Sequence, residues 1–190
     1  MGDLIGPDNL KLTLIVGGAL LFFLFIIWVA LYLRARGSID RKLRKAANDV
    51  LMNFLVPDGI GSEIHVQYAL LTSRGVIIVD IRDVRGHVFG SDAMEEWTVL
   101  ADRRRFTFSN PQHALFDRMA AVKRLLPDVP VEGFVVFTNR AEFSKGQPTH
   151  VRILDGLLEE LQAEKKELPD DALVEYRSQW DQLREEAVIK

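Results

Sequence analysis

The chain has 190 residues and 27 acidic against 24 basic side chains, for a net charge of −3. That length supports one domain with a real core plus appendages. The absence of cysteine excludes disulfides, thiolate zinc sites and thiol catalysis, and the charge balance excludes a uniformly basic nucleic-acid binder.

Leu12 to Leu33 is apolar throughout, with no charge between Lys11 and Arg34. About 20 such residues span a bilayer. Asp3 and Asp8 precede the stretch where a signal peptide would carry a basic cluster, and the apolar run is too long for one. Residues 34–45 hold six basic side chains against Asp40 alone. The positive-inside rule then predicts a single-pass membrane protein, N-terminus outside and everything after Arg34 in the cytoplasm. A bacterial inner membrane is the expected setting. The organisation read from this is a short external N-terminus (1–11), a transmembrane helix (12–33) and a basic juxtamembrane helix (34–50). A domain (51–160) and an acidic helical tail (161–190) complete the chain. Ser38 caps the juxtamembrane helix in this reading. Its basic residues either rest on anionic headgroups or only fix topology.

Strands are expected at 51–56 and 63–72, the first closed by Pro57-Asp58-Gly59. Ser73-Arg74-Gly75 makes a tight hairpin into a central strand, Gly75-Val-Ile-Ile-Val-Asp-Ile-Arg82. Its branched apolar run reads as buried on both faces. Alternation puts Ile78, Asp80 and Arg82 on one face. An acid and a base at the end of such a strand read either as a neutralised pair or as part of a metal and phosphate site. Gly86, His87 and Gly90 are expected to form a turn. Two meander strands are expected next, at 96–101 and 104–108. Ser109-Asn110-Pro111 opens a helix that runs through Leu115, Met119, Val122 and Leu126 to Pro127. A buried strand at 131–138, a polar loop at 139–150 and a short strand at 151–154 complete the domain. In the tail, Pro169 divides two helices. Leu173, Tyr176, Trp180, Leu183 and Ala187 form an apolar seam expected to dock on the domain. The fold class is α/β (α+β), a mixed sheet flanked by helices.

The Gly-x-x-x-Gly of Gly86 to Gly90, Trp97, the Phe-x-Asn-Pro of Phe108 to Pro111 and the strand Val-Val-Phe-Thr138 resemble the nuclease-related domain (NERD) family in order and spacing. The resemblance covers roughly residues 46–160. It implies a restriction-endonuclease-like fold with a PD-(D/E)-x-K site, in which two carboxylates hold Mg²⁺ and a lysine assists the attacking water. The family's Ile-Asp-His and Glu-x-Lys segments fall on Val66-Gln67-Tyr68 and Asp80-Ile81-Arg82. Gln67 brings no charge to a metal, and Arg82 cannot accept a proton at physiological pH. Asp83 is out of phase with Asp80. His65 shares the face of Gln67 in an ideal strand, and Gln112 lies near where relatives place a glutamine. The resemblance therefore implies a degenerate site with no resident metal or other cofactor. The expected role is binding or scaffolding at the membrane, with the bilayer and a nucleic acid or protein as partners. An active Mg²⁺-dependent nuclease with a D-x-R site and a purely protein-binding module are the alternatives. Arg103, Arg104 and Arg105 are a further candidate for phosphate contact, set against a solvated turn and edge strand.

Overall fold

The computed structural model describes residues 7–167 and 171–189. It divides into two units, Met1–Lys42 and Leu43–Lys190. The first is the greater part of helix α1 (Pro7–Ala46). This helix runs unbroken through Ser38, so Ser38 caps no new helix, and the basic helix expected to reach residue 50 ends at Ala46. It stops there because Asp49, three residues on, already pairs with Leu71 in a sheet. Among the described residues, no helix is long and apolar enough to cross a membrane. Side chains are described only for residues 16–31 of the 12–33 stretch, so the expected span lies partly outside the described residues.

The second unit is a mixed α and β structure with two mixed sheets flanked by helices. Strands β1 (Asp49–Pro57), β2 (Glu63–Thr72) and β3 (Gly75–Arg82) form an antiparallel meander. Helix α2 (Pro111–Leu125) then returns the chain so that β7 (Val131–Phe137) lies parallel to β3. Strand β9 (Val151–Ile153) adds parallel to β7, and β10 (Val188–Ile189) adds to the outer edge of β1. Gly75 makes the β2–β3 turn possible. Its φ is +125°, and a Cβ there would stand 2.3 Å from the Pro130 carbonyl. The start of α2 obeys the expected chemistry. Asn110 accepts from the Gln112 backbone N–H at 3.0 Å, and Pro111 occupies the first turn where its missing N–H costs nothing.

The smaller sheet has the order β6 (Arg104–Ser109), β5 (Glu96–Ala101), β4 (Gly86–Phe89) and β8 (Ala141–Glu142). The turn expected at Gly86 to Gly90 is thus a strand. Gly86, at φ +116°, lets the backbone approach the Leu100 carbonyl, where a Cβ would meet it at 2.3 Å. Gly90 lies against the Trp97 indole, leaving a Cβ no room. These glycines permit close strand contact rather than reversal. The loop expected at 139–150 likewise contributes β8, because Gly86 and Ala141 come into register.

One apolar core takes Val76 and Ile78 of β3, Val135 and Phe137 of β7, Leu115 and Val122 of α2, and Trp97. Gly133 of β7 is where α2 comes nearest, since a Cβ there would press on Met119 and Leu115. On β3, Ile77 and Val79 alternate with these residues and are equally buried. Helix α3 (Leu154–Glu167) starts directly from β9 and buries Leu157, Leu158 and Leu161. Helix α4 (Asp171–Glu186) docks through Trp180 and Leu183, which join the core. Ala187 lies just past the end of α4; Pro169 and the side chain of Leu173 are outside the described residues.

Candidate functional site

Strand β3 is buried from Gly75 to Asp80 and opens at Ile81 and Arg82. A carboxylate in that position requires partners, because burial penalises an unpaired charge. Asp80 is 6% exposed. Arg82 Nη2 donates to its Oδ2 at 2.7 Å. The register of the strand places the two residues on one face, so the pair predicted by alternation forms. A second cation completes the cluster. Arg118 Nη1 of α2 lies 3.7 Å from the same Oδ2, and Arg118 Nε donates to the His65 carbonyl at 2.8 Å.

Gln67 joins through its amide. The β2–β3 ladder ends at the pair Tyr68 and Val79, leaving the N–H of Ile81 without a backbone partner in β2. Gln67 Oε1 accepts from that N–H at 2.6 Å. The side chain thereby prolongs the ladder where the strands part. Opposite it in β1, Asn53 has a left-handed φ of 51°, so the sheet is locally distorted on both sides of Gln67.

Gln67, Asp80 and Arg82 therefore come together, and Arg118 with them. The sequence carried one sign of Arg118. It lies three residues after Leu115 and four before Val122, inside the apolar stripe of the helix, where a charge demands a partner. His65 contributes only its carbonyl, and its side chain is exposed. Asp83 points away to Arg140 and the Thr138 hydroxyl. The Arg140 hydrogen bond, acting against some burial and aided by Thr138, holds its carboxyl below the usual range.

Gln112 is elsewhere. Its Nε2 donates to Asp92 Oδ1 at 2.9 Å. With Asp92, Asn110, His113, Phe116, Thr149 and His150 it lines a cavity of about 300 Å³ that none of Gln67, Asp80 or Arg82 borders. The Gln112 hydrogen bond, and after it two from Thr149, lowers the Asp92 carboxyl below its ordinary value. Arg103, Arg104 and Arg105 sit at an exposed hairpin, with Asp102 and Arg103 at left-handed φ and Arg104 and Arg105 opening β6.

A Mg²⁺ ion takes oxygen ligands at short range and is bound through carboxylates, waters and phosphate. At this cluster Asp80 supplies the one carboxylate, and its Oδ2 already holds a guanidinium. The Gln67 carbonyl is engaged by Ile81, and two positive side chains oppose a third cation. These residues do not fit Mg²⁺. Among the described residues no group of three or more His, Asp or Glu side chains could hold a metal ion.

The family model described as the nuclease-related domain matches residues 28–138, more than half of the chain. An uncharacterized protein of Bacillus anthracis is 26% identical over 85 residues, covering 45% of this chain. The chain spans 40% of that relative's own length. No solved structure matches.

Proposed function

The chain belongs to the nuclease-related domain family, and from that premise we propose a membrane-anchored domain that binds nucleic acid without hydrolysing it. The observation that carries this reading is the state of Asp80. Its Oδ2 is hydrogen-bonded by Arg82 and faced by Arg118, while Gln67 offers its carbonyl to the backbone. Hydrolysis through the implied chemistry needs a carboxylate pair free to hold a cation and place a water. Misplacing such a water by an ångström costs about a hundredfold in rate. A guanidinium held on the aspartate also competes for the metal's own ligand.

The anchor is supported by the uncharged Leu12–Leu33 run and by the continuity of α1 through it. At ~1.5 Å per residue such a helix covers about 33 Å, matching the ~30 Å hydrocarbon core. Leu21, Phe22 and Leu31 are all more than 60% exposed, as side chains that face lipid would be in an isolated helix. The basic flank after Arg34 favours a cytoplasmic domain.

The test uses the full chain in neutral detergent, beside its Asp80→Ala variant. Both are incubated with labelled single- and double-stranded DNA and RNA in Mg²⁺ and in Mn²⁺. The expected result is a retained complex and intact substrate. Cleavage that vanishes with Asp80→Ala would establish the Mg²⁺-dependent nuclease instead. Failure to retain any of the four substrates would leave the protein-binding module.

A further inference from the structure

Two guanidinium N–H groups at the Asp80 cluster have no acceptor. Arg82 Nε and Arg118 Nη1 are both shut off from solvent and hydrogen-bonded to nothing. Their side chains are otherwise fixed, Arg82 by Nη2 on Asp80 and Arg118 by Nε on the His65 carbonyl. The 3.7 Å from Arg118 Nη1 to Asp80 Oδ2 permits attraction but is too long for a hydrogen bond. Buried donors are almost always satisfied. Two such donors, on the guanidiniums that face one carboxylate, are available to a further acceptor.

The charges say what kind of acceptor. Two guanidiniums that never deprotonate face one carboxylate, leaving one positive charge in excess. With its carbonyl engaged by Ile81, Gln67 adds no negative charge. The cluster borders solvent, the Arg82 side chain being 40% exposed and that of Arg118 19%, so a small rotation of either guanidinium brings its closed-off donor to a ligand. A ligand with several acceptor oxygens and a negative charge satisfies all of these donors at once. Phosphate matches the planar fork of a guanidinium in geometry as well as charge.

We infer that Arg82 and Arg118, braced by Asp80 and the His65 carbonyl, form a phosphate site that works without a metal ion, and that the phosphate belongs to a nucleic-acid strand. Asp80 in this arrangement is a positioning residue that orients Arg82. The oxyanion part stands on the orphan donors alone; the strand as its source rests on the function proposed above.

The experiment titrates the full chain in detergent with inorganic phosphate and with a 5′-phosphorylated single-stranded oligonucleotide, both in excess EDTA. Phosphorus NMR line broadening tracks the first and fluorescence anisotropy the second. Circular dichroism melting confirms that Arg82→Gln and Arg118→Gln are folded. Arg82→Lys and Arg118→Lys replace either one that is not. The natural protein binds both ligands in EDTA. Each glutamine variant weakens both by about ten- to a hundredfold, the scale of one charge-assisted hydrogen bond. Each lysine variant, which keeps the charge and loses the fork, falls between. Oligonucleotide affinity drops as salt rises. No phosphate binding by the natural protein in EDTA, or binding that the folded variants keep unchanged, overturns the site. Oligonucleotide binding untouched by either variant would sink this inference and spare the nucleic-acid function. Phosphate binding with no oligonucleotide binding would do the reverse, keeping the oxyanion site and removing the strand as its source.

Discussion

Replacing Trp180 with alanine tests whether the C-terminal helix is part of the domain. Trp180 is 1% exposed and belongs to the same core as Phe54 and Leu51 of β1. Its indole N–H donates to Asp49 Oδ2 at 3.2 Å, and Arg184 Nη2 donates to the same oxygen at 2.7 Å. Leu183, one turn on, is fully buried. Trp→Ala at a packed site costs about 3–5 kcal/mol through lost burial and the cavity left behind. A domain of this size loses about 2–4 °C of Tm per kcal/mol, so the variant should melt on the order of 10 °C lower. Trp180→Phe separates the contributions. It keeps most of the apolar area and loses the N–H bond to an aspartate that Arg184 still neutralises, a cost of about 1–2 kcal/mol. The predicted order of stability is natural protein, then Trp180→Phe, then Trp180→Ala. Thermal unfolding by circular dichroism, on the full chain in detergent, reads the order, and sedimentation reads the mass. An unaltered melt for Trp180→Ala together with a changed mass would refute intramolecular docking and show that the seam serves a partner helix.

Acid sensitivity gives a second prediction. The folded carboxyl of Asp92 titrates below its unfolded value, chiefly because Gln112 and then Thr149 donate to it. Its stabilising effect is therefore complete above the ordinary carboxylate range, ~3.9, and is lost as pH falls through the lower folded value. Urea midpoints of Asp92→Asn should lie below those of the natural protein by a constant amount from pH 7 to about pH 5, and the gap should close under stronger acid. A gap that widens on acidification would reverse the assigned sign. For membrane orientation, a reporter that works only in the cytoplasm should be active when fused after Lys190. Activity of a periplasm-dependent reporter at the same position would invert the topology.

Much of the domain was legible along the chain. The β2 boundaries, the buried run of β3 and the Asn110–Pro111 start of α2 all depend on short-range chemistry: alternation, a capping amide, a fixed proline φ. So does the Asp80–Arg82 pair, because two residues apart on a strand means one face. What escaped was set by residues far apart in sequence. Gly86 looks like a turn until the Leu100 carbonyl is known to lie against it. Two residues at Ala141 become a strand only because β4 comes alongside. Gln67 reads as a lost carboxylate, but only the end of the β2–β3 ladder turns its carbonyl onto Ile81. Gln112 was drawn to Asp92, twenty residues back, and so into a different cavity. Arg118 reached Asp80 because α2 crosses over β3 and β7, which no local pattern encodes. Periodicity and capping are properties of neighbouring residues and can be read from sequence. The surroundings of a charge depend on how the layers pack, and at Asp80 that packing decided that the carboxylate would face two guanidiniums.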